Sequence, residues 1–169
     1  SGCGEHGYNG GQVIYKTLQA LNLLDDIEFI SINPFSHASF PELNLDLPQT
    51  IDAFVNALSK QFPKQQQGLE QLTALCLQLA EEITIADELM AEVDLQQAQQ
   101  LMPALFKYRK STLAEVAEQF ISDEKLLAVF SSNWPYLGLP PSQVSFVYWS
   151  TMLIGYMVDG AYYCKGGFQ

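Results

Sequence analysis

Leu69, Leu72, Leu75, Cys76, Leu79, Ile83, Ala86 and Met90 recur at intervals of three and four residues. A strand would scatter such a row over both of its faces, whereas a helix gathers it into one stripe. A helix this long must bury its stripe against other elements, and the chain supplies helical patterns on both sides. Ile51, Phe54, Val55, Leu58 and Phe62 form a second stripe behind Thr50, a capping residue, and Pro63 ends it. Residues 95–108 read as a shorter helix interrupted at Pro103. Thr112 and Glu115 have the spacing of a capping box ahead of Leu113, Val116, Ala117, Phe120 and Ile121. Ser122 or Asp123 then caps a helix through Leu126, Leu127, Val129 and Phe130. Pro135, Pro140 and Pro141 prevent residues 134–141 from forming a continuous helix. Pro141 or Ser142 opens an apolar helix that ends near Asp159 and Gly160.

Strand patterns are few. After the glycine-rich residues 1–11, a helix carries Val13, Ile14, Thr17, Leu18 and Leu21 and is interrupted near Asn22. Residues 27–32 read as a strand, Asn33-Pro34 as a turn, and Leu43, Leu45 and Leu47 alternate with polar residues as a half-buried strand does. With Ser39-Phe40 pairing back, these residues predict a small antiparallel sheet or hairpin. Residues 161–164 read as a short strand entering a glycine turn. The expected fold class is α+β, mostly helical with a small antiparallel or mixed sheet, and residues 1–169 are taken as one domain.

Charge and composition exclude several functions. Nineteen Asp and Glu against eight Lys and Arg give a net charge of −11, which repels nucleic-acid phosphates. Lys107, Arg109 and Lys110 form a small basic cluster that reads as a solvated helix end. Cys3, Cys76 and Cys164 are too scattered for a zinc site or a disulfide framework, and Cys76 belongs to the core stripe; a reducing, cytoplasmic setting fits best. His6 and His37 lack paired spacing, so no metal is expected, and His37 falls in an exposed hairpin. Neither a G-x-S-x-G elbow nor a G-x-G-x-x-G turn after a strand is found. No signal peptide is visible. The apolar run at 144–158 is shorter than the roughly 20 residues a membrane span needs; it reads as a buried helix, with peripheral membrane contact as the lesser reading. The chain starts without Met and stops on Gly166-Gly167-Phe168-Gln169, so both ends read as cut and the chain as a fragment.

What remains is apolar and aromatic. On the helix after Pro141, Phe146, Trp149 and Leu153 share one face, and Tyr148, Met152 and Tyr156 share another. A core helix needs only one such face; two imply burial on both sides, or one side turned to a pocket or to a missing domain.

Three segments carry a family resemblance: Tyr136-Leu137-Gly138-Leu139-Pro140-Pro141-Ser142, the apolar helix after it, and Tyr162-Tyr163-Cys164-Lys165-Gly166-Gly167. In this order, and preceded by Lys107-Tyr108-Arg109-Lys110-Ser111-Thr112, they resemble the phytoene desaturase, carotenoid isomerase and retinol saturase group. Cys164 stands where that group has proline, and Gln143 replaces a basic residue. The resemblance implies a substrate-binding domain inserted in a discontinuous FAD-binding domain, with the flanking flavin-binding segments of the same polypeptide as its partner. FAD would belong to the full-length parent and would not be bound by this fragment alone. The substrate would be an apolar isoprenoid or polyene, lined by Tyr148, Trp149, Met152 and Tyr156. Tyr162, Tyr163, Gly166 and Gly167 would approach the flavin side. No catalytic acid or base is marked. The alternative is a stand-alone helical module that binds a lipid or a protein without catalysis.

Overall fold

The expected α+β class is found. The computed structural model describes residues 13–89 and 93–167, and among these its regular structure consists of eight helices and two small antiparallel sheets. The chain divides into two compact units, Val55–Ile154 and Ser1–Phe54 with Gly155–Gln169.

The larger unit is helical and is organised by the long apolar stripe. Helix α1 (Val13–Ala20) lies in the smaller unit and α2 (Ile51–Gln61) runs from that unit into the larger one. A 3-10 turn at Pro63–Gln65 leads directly into α3 (Gln66–Leu89). Leu69, Leu72, Cys76 and Leu79 of α3 are fully buried, while Leu75, Ile83 and Ala86 are half-buried; Met90 lies outside the described residues. Helices α4 (Leu95–Leu101) and α5 (Pro103–Tyr108) are the two halves expected around Pro103. Asp94 and Gln97 form a capping box on α4, and Thr112 and Glu115 form one on α6 (Leu113–Phe120). The Asp123 carboxylate accepts from Leu126 N–H, at 3.0 Å, to start α7 (Glu124–Phe130).

Two contacts fix how the helices of this unit meet. Gly68 of α3 crosses the end of α6 so closely that a β-carbon there would sit 1.9 Å from the Phe120 carbonyl oxygen. One step away, the Gln65 amide brackets Ser122, donating to its hydroxyl at 2.9 Å and accepting from its N–H at 3.0 Å. The second contact is a buried acid. Glu82 lies on α3 between Leu79 and Ile83, and its carboxylate accepts from the N–H groups of Ala104 and Leu105 at 3.2 and 2.6 Å and from Gln78 at 2.8 Å. Met102, the residue before α5, has no side-chain oxygen for the first N–H groups of that helix, so a carboxylate from another helix takes the capping role.

Helix α8 (Phe146–Val158) starts four or five residues later than the expected start at Pro141 or Ser142. The reason is backbone pairing. Leu113 N–H donates to Val144, Ala114 N–H to Pro141, and Phe146 N–H to Ser111. Residues 141–145 are thereby held against the start of α6, and Ser145 becomes the cap, accepting from Tyr148 N–H at 3.4 Å. Residues 134–137 form a 3-10 turn closed by Gly138 in the left-handed region.

In the smaller unit, α1 stops at a left-handed Asn22. Leu23 N–H returns to the Leu18 carbonyl and Asn22 N–H to Gln19, so a short polar residue serves where glycine is usual. Strands β2 (Ser36–Phe40) and β3 (Leu43–Leu47) form the expected hairpin, with His37 opposite Asp46 and a 2.7 Å contact between their side chains. Strand β1 (Phe29–Ser31) does not join that hairpin as the sequence pattern implies. It pairs with β4 (Tyr162–Cys164), in the register Phe29 to Cys164, Ile30 to Tyr163 and Ser31 to Tyr162. Lys165 extends the ladder through a backbone bond to Glu28 and a 2.7 Å ion pair with its carboxylate. Asn33 turns the chain away from β1 and accepts from Gln49 N–H at 3.2 Å, which anchors the exit of the hairpin instead.

Candidate functional site

The residues expected to line a substrate fall into different environments. Trp149 is a core residue of the larger unit: it is fully buried, and its indole lies 4.9 Å from the Phe130 ring. Phe146 and Leu153, on the same side of α8, are buried too, and Phe146 meets Tyr108 edge-on at 5.9 Å. Tyr148 is 67% exposed. Met152 is half-buried. One side of α8 is therefore closed by core, and the side carrying Tyr148 is open. Tyr156, in the smaller unit, is half-buried and stacks on Phe35 with centroids 5.7 Å apart. Phe35 is an aromatic partner of Tyr156 that sequence reasoning missed. More than a hundred positions separate it from Tyr156, and no periodicity links residues that distant.

The residues expected on the flavin side all lie in the smaller unit, around β4. Tyr163 projects from the face of the ladder that also carries Ile30, and both are about half exposed, at 48% and 47%. Tyr162 points to the other face, beside Gly160 and Gln49. Burial, and secondarily the negative charge of Asp159, push the Tyr162 hydroxyl above its usual range, so it stays protonated and able to donate a hydrogen bond. Gly166 and Gly167 follow with φ of +87° and +95°, angles that other residues rarely adopt. A β-carbon at Gly166 would meet nothing within 4 Å among the described residues.

Cys76 is wholly buried, and desolvation pushes its thiol from 9.0 up to about 12 against a smaller opposing effect of the Ser150 hydroxyl. The folded chain therefore holds this proton more tightly than the unfolded chain. Stability from Cys76 should be intact below pH 9 and fall as the pH rises toward 12. We expect a slope steeper by up to about 1.4 kcal/mol per pH unit than in Cys76→Ala, measured by urea unfolding between pH 8 and 10.5; parallel curves for the two proteins would contradict it. Cys3 and His6 lie outside the described residues. Among the described residues, no group of three or more His, Cys, Asp or Glu is placed to hold a metal ion, and no helix is long and apolar enough to cross a membrane.

Comparison with protein-family models, curated proteins and solved structures finds no match to this chain.

Proposed function

We propose that the chain is the substrate-side part of a flavin-dependent oxidoreductase of the phytoene desaturase, carotenoid isomerase and retinol saturase kind, acting on an apolar isoprenoid or polyene. One observation carries the reading: α8 bears large apolar side chains on two sides, yet only the Trp149 side is closed by core, leaving Tyr148 exposed and Met152 half-exposed. Large aromatic side chains bury well over 100 Å² each when covered, and an apolar occupant on this side would cover Tyr148. The motif resemblance supports an apolar polyene as that occupant. Tyr-Leu-Gly-Leu-Pro-Pro-Ser stands just before this helix, and Tyr-Tyr-Cys-Lys-Gly-Gly follows it.

The described residues offer FAD only part of a site. Among the described residues, no strand leads through a glycine turn into a helix that could take a pyrophosphate. The backbone at Gly166 and Gly167 suits close approach of a flat ring, and the protonated Tyr162 could donate to a ring carbonyl or nitrogen. When bound, the flavin would supply hydride transfer. This chain's residues would hold a long apolar substrate, orient it and exclude water. Tyr148 and Met152 of α8 would do so. In this reading Trp149 supports the lining from behind. The protein would work in the cytoplasm and collect its substrate at a membrane surface.

The test is expression of the complete reading frame, a flavin absorbance spectrum and product analysis with a panel of polyenes. A yellow protein that converts a polyene is the expected result. A protein that purifies colourless and stays so after FAD is added would overturn the proposal.

A further inference from the structure

Lys107, Arg109 and Lys110 are all exposed and lie within four consecutive positions at the end of α5. The ordinary role of such residues is to complement the carbonyl end of a helix. Arg109 does this in part, since its guanidinium donates to the Phe106 carbonyl. That bond uses one N–H of a planar fork of five. The same guanidinium lies 5.4 Å from the centre of the Phe106 ring, and the Lys107 ammonium lies 4.6 Å from the centre of the Tyr108 ring. Arg109 is thus pinned through one edge and one face, with most of its donors unused.

The electrostatic setting is what distinguishes the cluster. In a chain with nineteen carboxylates and eight cationic side chains, three adjacent cations should collect counter-charges. Yet no carboxylate among the described residues lies within ion-pair distance of any of the three. The neighbouring rings offer Lys107 and Arg109 weak cation–π contacts and leave their charge unneutralised. Carboxylates more than about 8 Å away cancel little of it, because at physiological ionic strength charges that distant are largely screened.

We propose that Lys107, Arg109 and Lys110 form a binding surface for phosphate-bearing anions. The Arg109 guanidinium can give paired N–H donors to two oxygens of a tetrahedral phosphate group, and the Lys107 and Lys110 ammonium groups add positive charge within two positions of it in the chain. That chemistry has two sources, the headgroup of an acidic phospholipid and a free phosphate compound. The half-buried Phe106 beside the cluster would suit the first. The inference does not depend on the flavoenzyme reading.

The experiment uses the full chain in two arms. The first is co-sedimentation with vesicles of phosphatidylcholine alone and with phosphatidic acid included. The second is titration with inorganic pyrophosphate, followed through the backbone amide resonances of residues 106–111. Three basic residues near an anionic surface should favour the acidic vesicles by roughly 100-fold. Raised salt should reverse that binding, and it should be lost in the K107Q/R109Q/K110Q variant. Vesicle binding of this kind assigns the lipid source. Amide shifts with pyrophosphate, absent from the triple variant and without vesicle binding, assign the free compound. Circular dichroism of the variant controls for folding, and the salt reversal in the native chain tests the proposal without any substitution. No response in either arm, or responses that the variant retains, would overturn it.

Discussion

Trp149→Ala will lower the stability of the larger unit by roughly 3–5 kcal/mol, while Trp149→Phe will cost on the order of 1 kcal/mol. The indole is fully buried against Phe130, and truncation to alanine removes the largest of the fully buried side chains from a site where rigid helices limit collapse. Phenylalanine keeps most of the apolar volume. It also removes a buried polar group at no cost in hydrogen bonding, because the Trp149 indole N–H has no partner; an orphaned buried donor is itself unfavourable by about 1–3 kcal/mol. Urea unfolding followed by circular dichroism measures both. If Trp149→Ala cost less than about 1 kcal/mol, or if phenylalanine cost as much as alanine, the core assignment would fail, and Trp149 would return to its expected place on an open wall.

The second large effect is at Gly68. A methyl group there would overlap the Phe120 carbonyl oxygen, and backbone cannot rotate out of the way as a side chain could. The α3 and α6 helices must separate, which also stretches the nearby amide clamp of Gln65 on Ser122. Gly68→Ala should therefore destabilise by roughly 3 kcal/mol, the upper end of overpacking costs. Alanine ordinarily strengthens a helix interior by up to about 1 kcal/mol over glycine, so the sign of the change separates the two influences. A stabilised Gly68→Ala protein in the same unfolding assay would mean that the helices do not approach this closely.

Features whose physics is local are legible in the amino-acid sequence. Thr112 and Asp123 act on N–H groups three residues ahead, Pro103 acts on the helix it interrupts, and the α3 stripe repeats within one element. Features that join distant positions are not. Glu82 looks like one more exterior acid beside Glu81, because nothing in its neighbourhood reveals that Ala104 and Leu105 arrive beside it. The start of α8 is displaced from its expected position because Pro141 and Ser142 are good helix openers locally, whereas the backbone of residues 141–146 is engaged by residues 111–114. The candidate site follows the same division. Spacing separates a Trp149 face from a Tyr148 face on one helix. Deciding which face is shut requires Phe130, a residue on a different helix.

The pairing of Phe29 with Cys164 bears on how the molecule is made. The larger unit is one uninterrupted stretch of chain, rich in helices whose contacts are mostly near in sequence, and such segments organise early and quickly. The smaller unit is assembled from two separated stretches, and its β1 strand has no ladder until residues 162–164 have been synthesised. During translation Ile30 must wait, with its apolar side chain uncovered, while a complete helical body folds behind it. A nascent chain stalled before residue 162 would consequently present that unmatched strand to chaperones and to its neighbours on the same messenger.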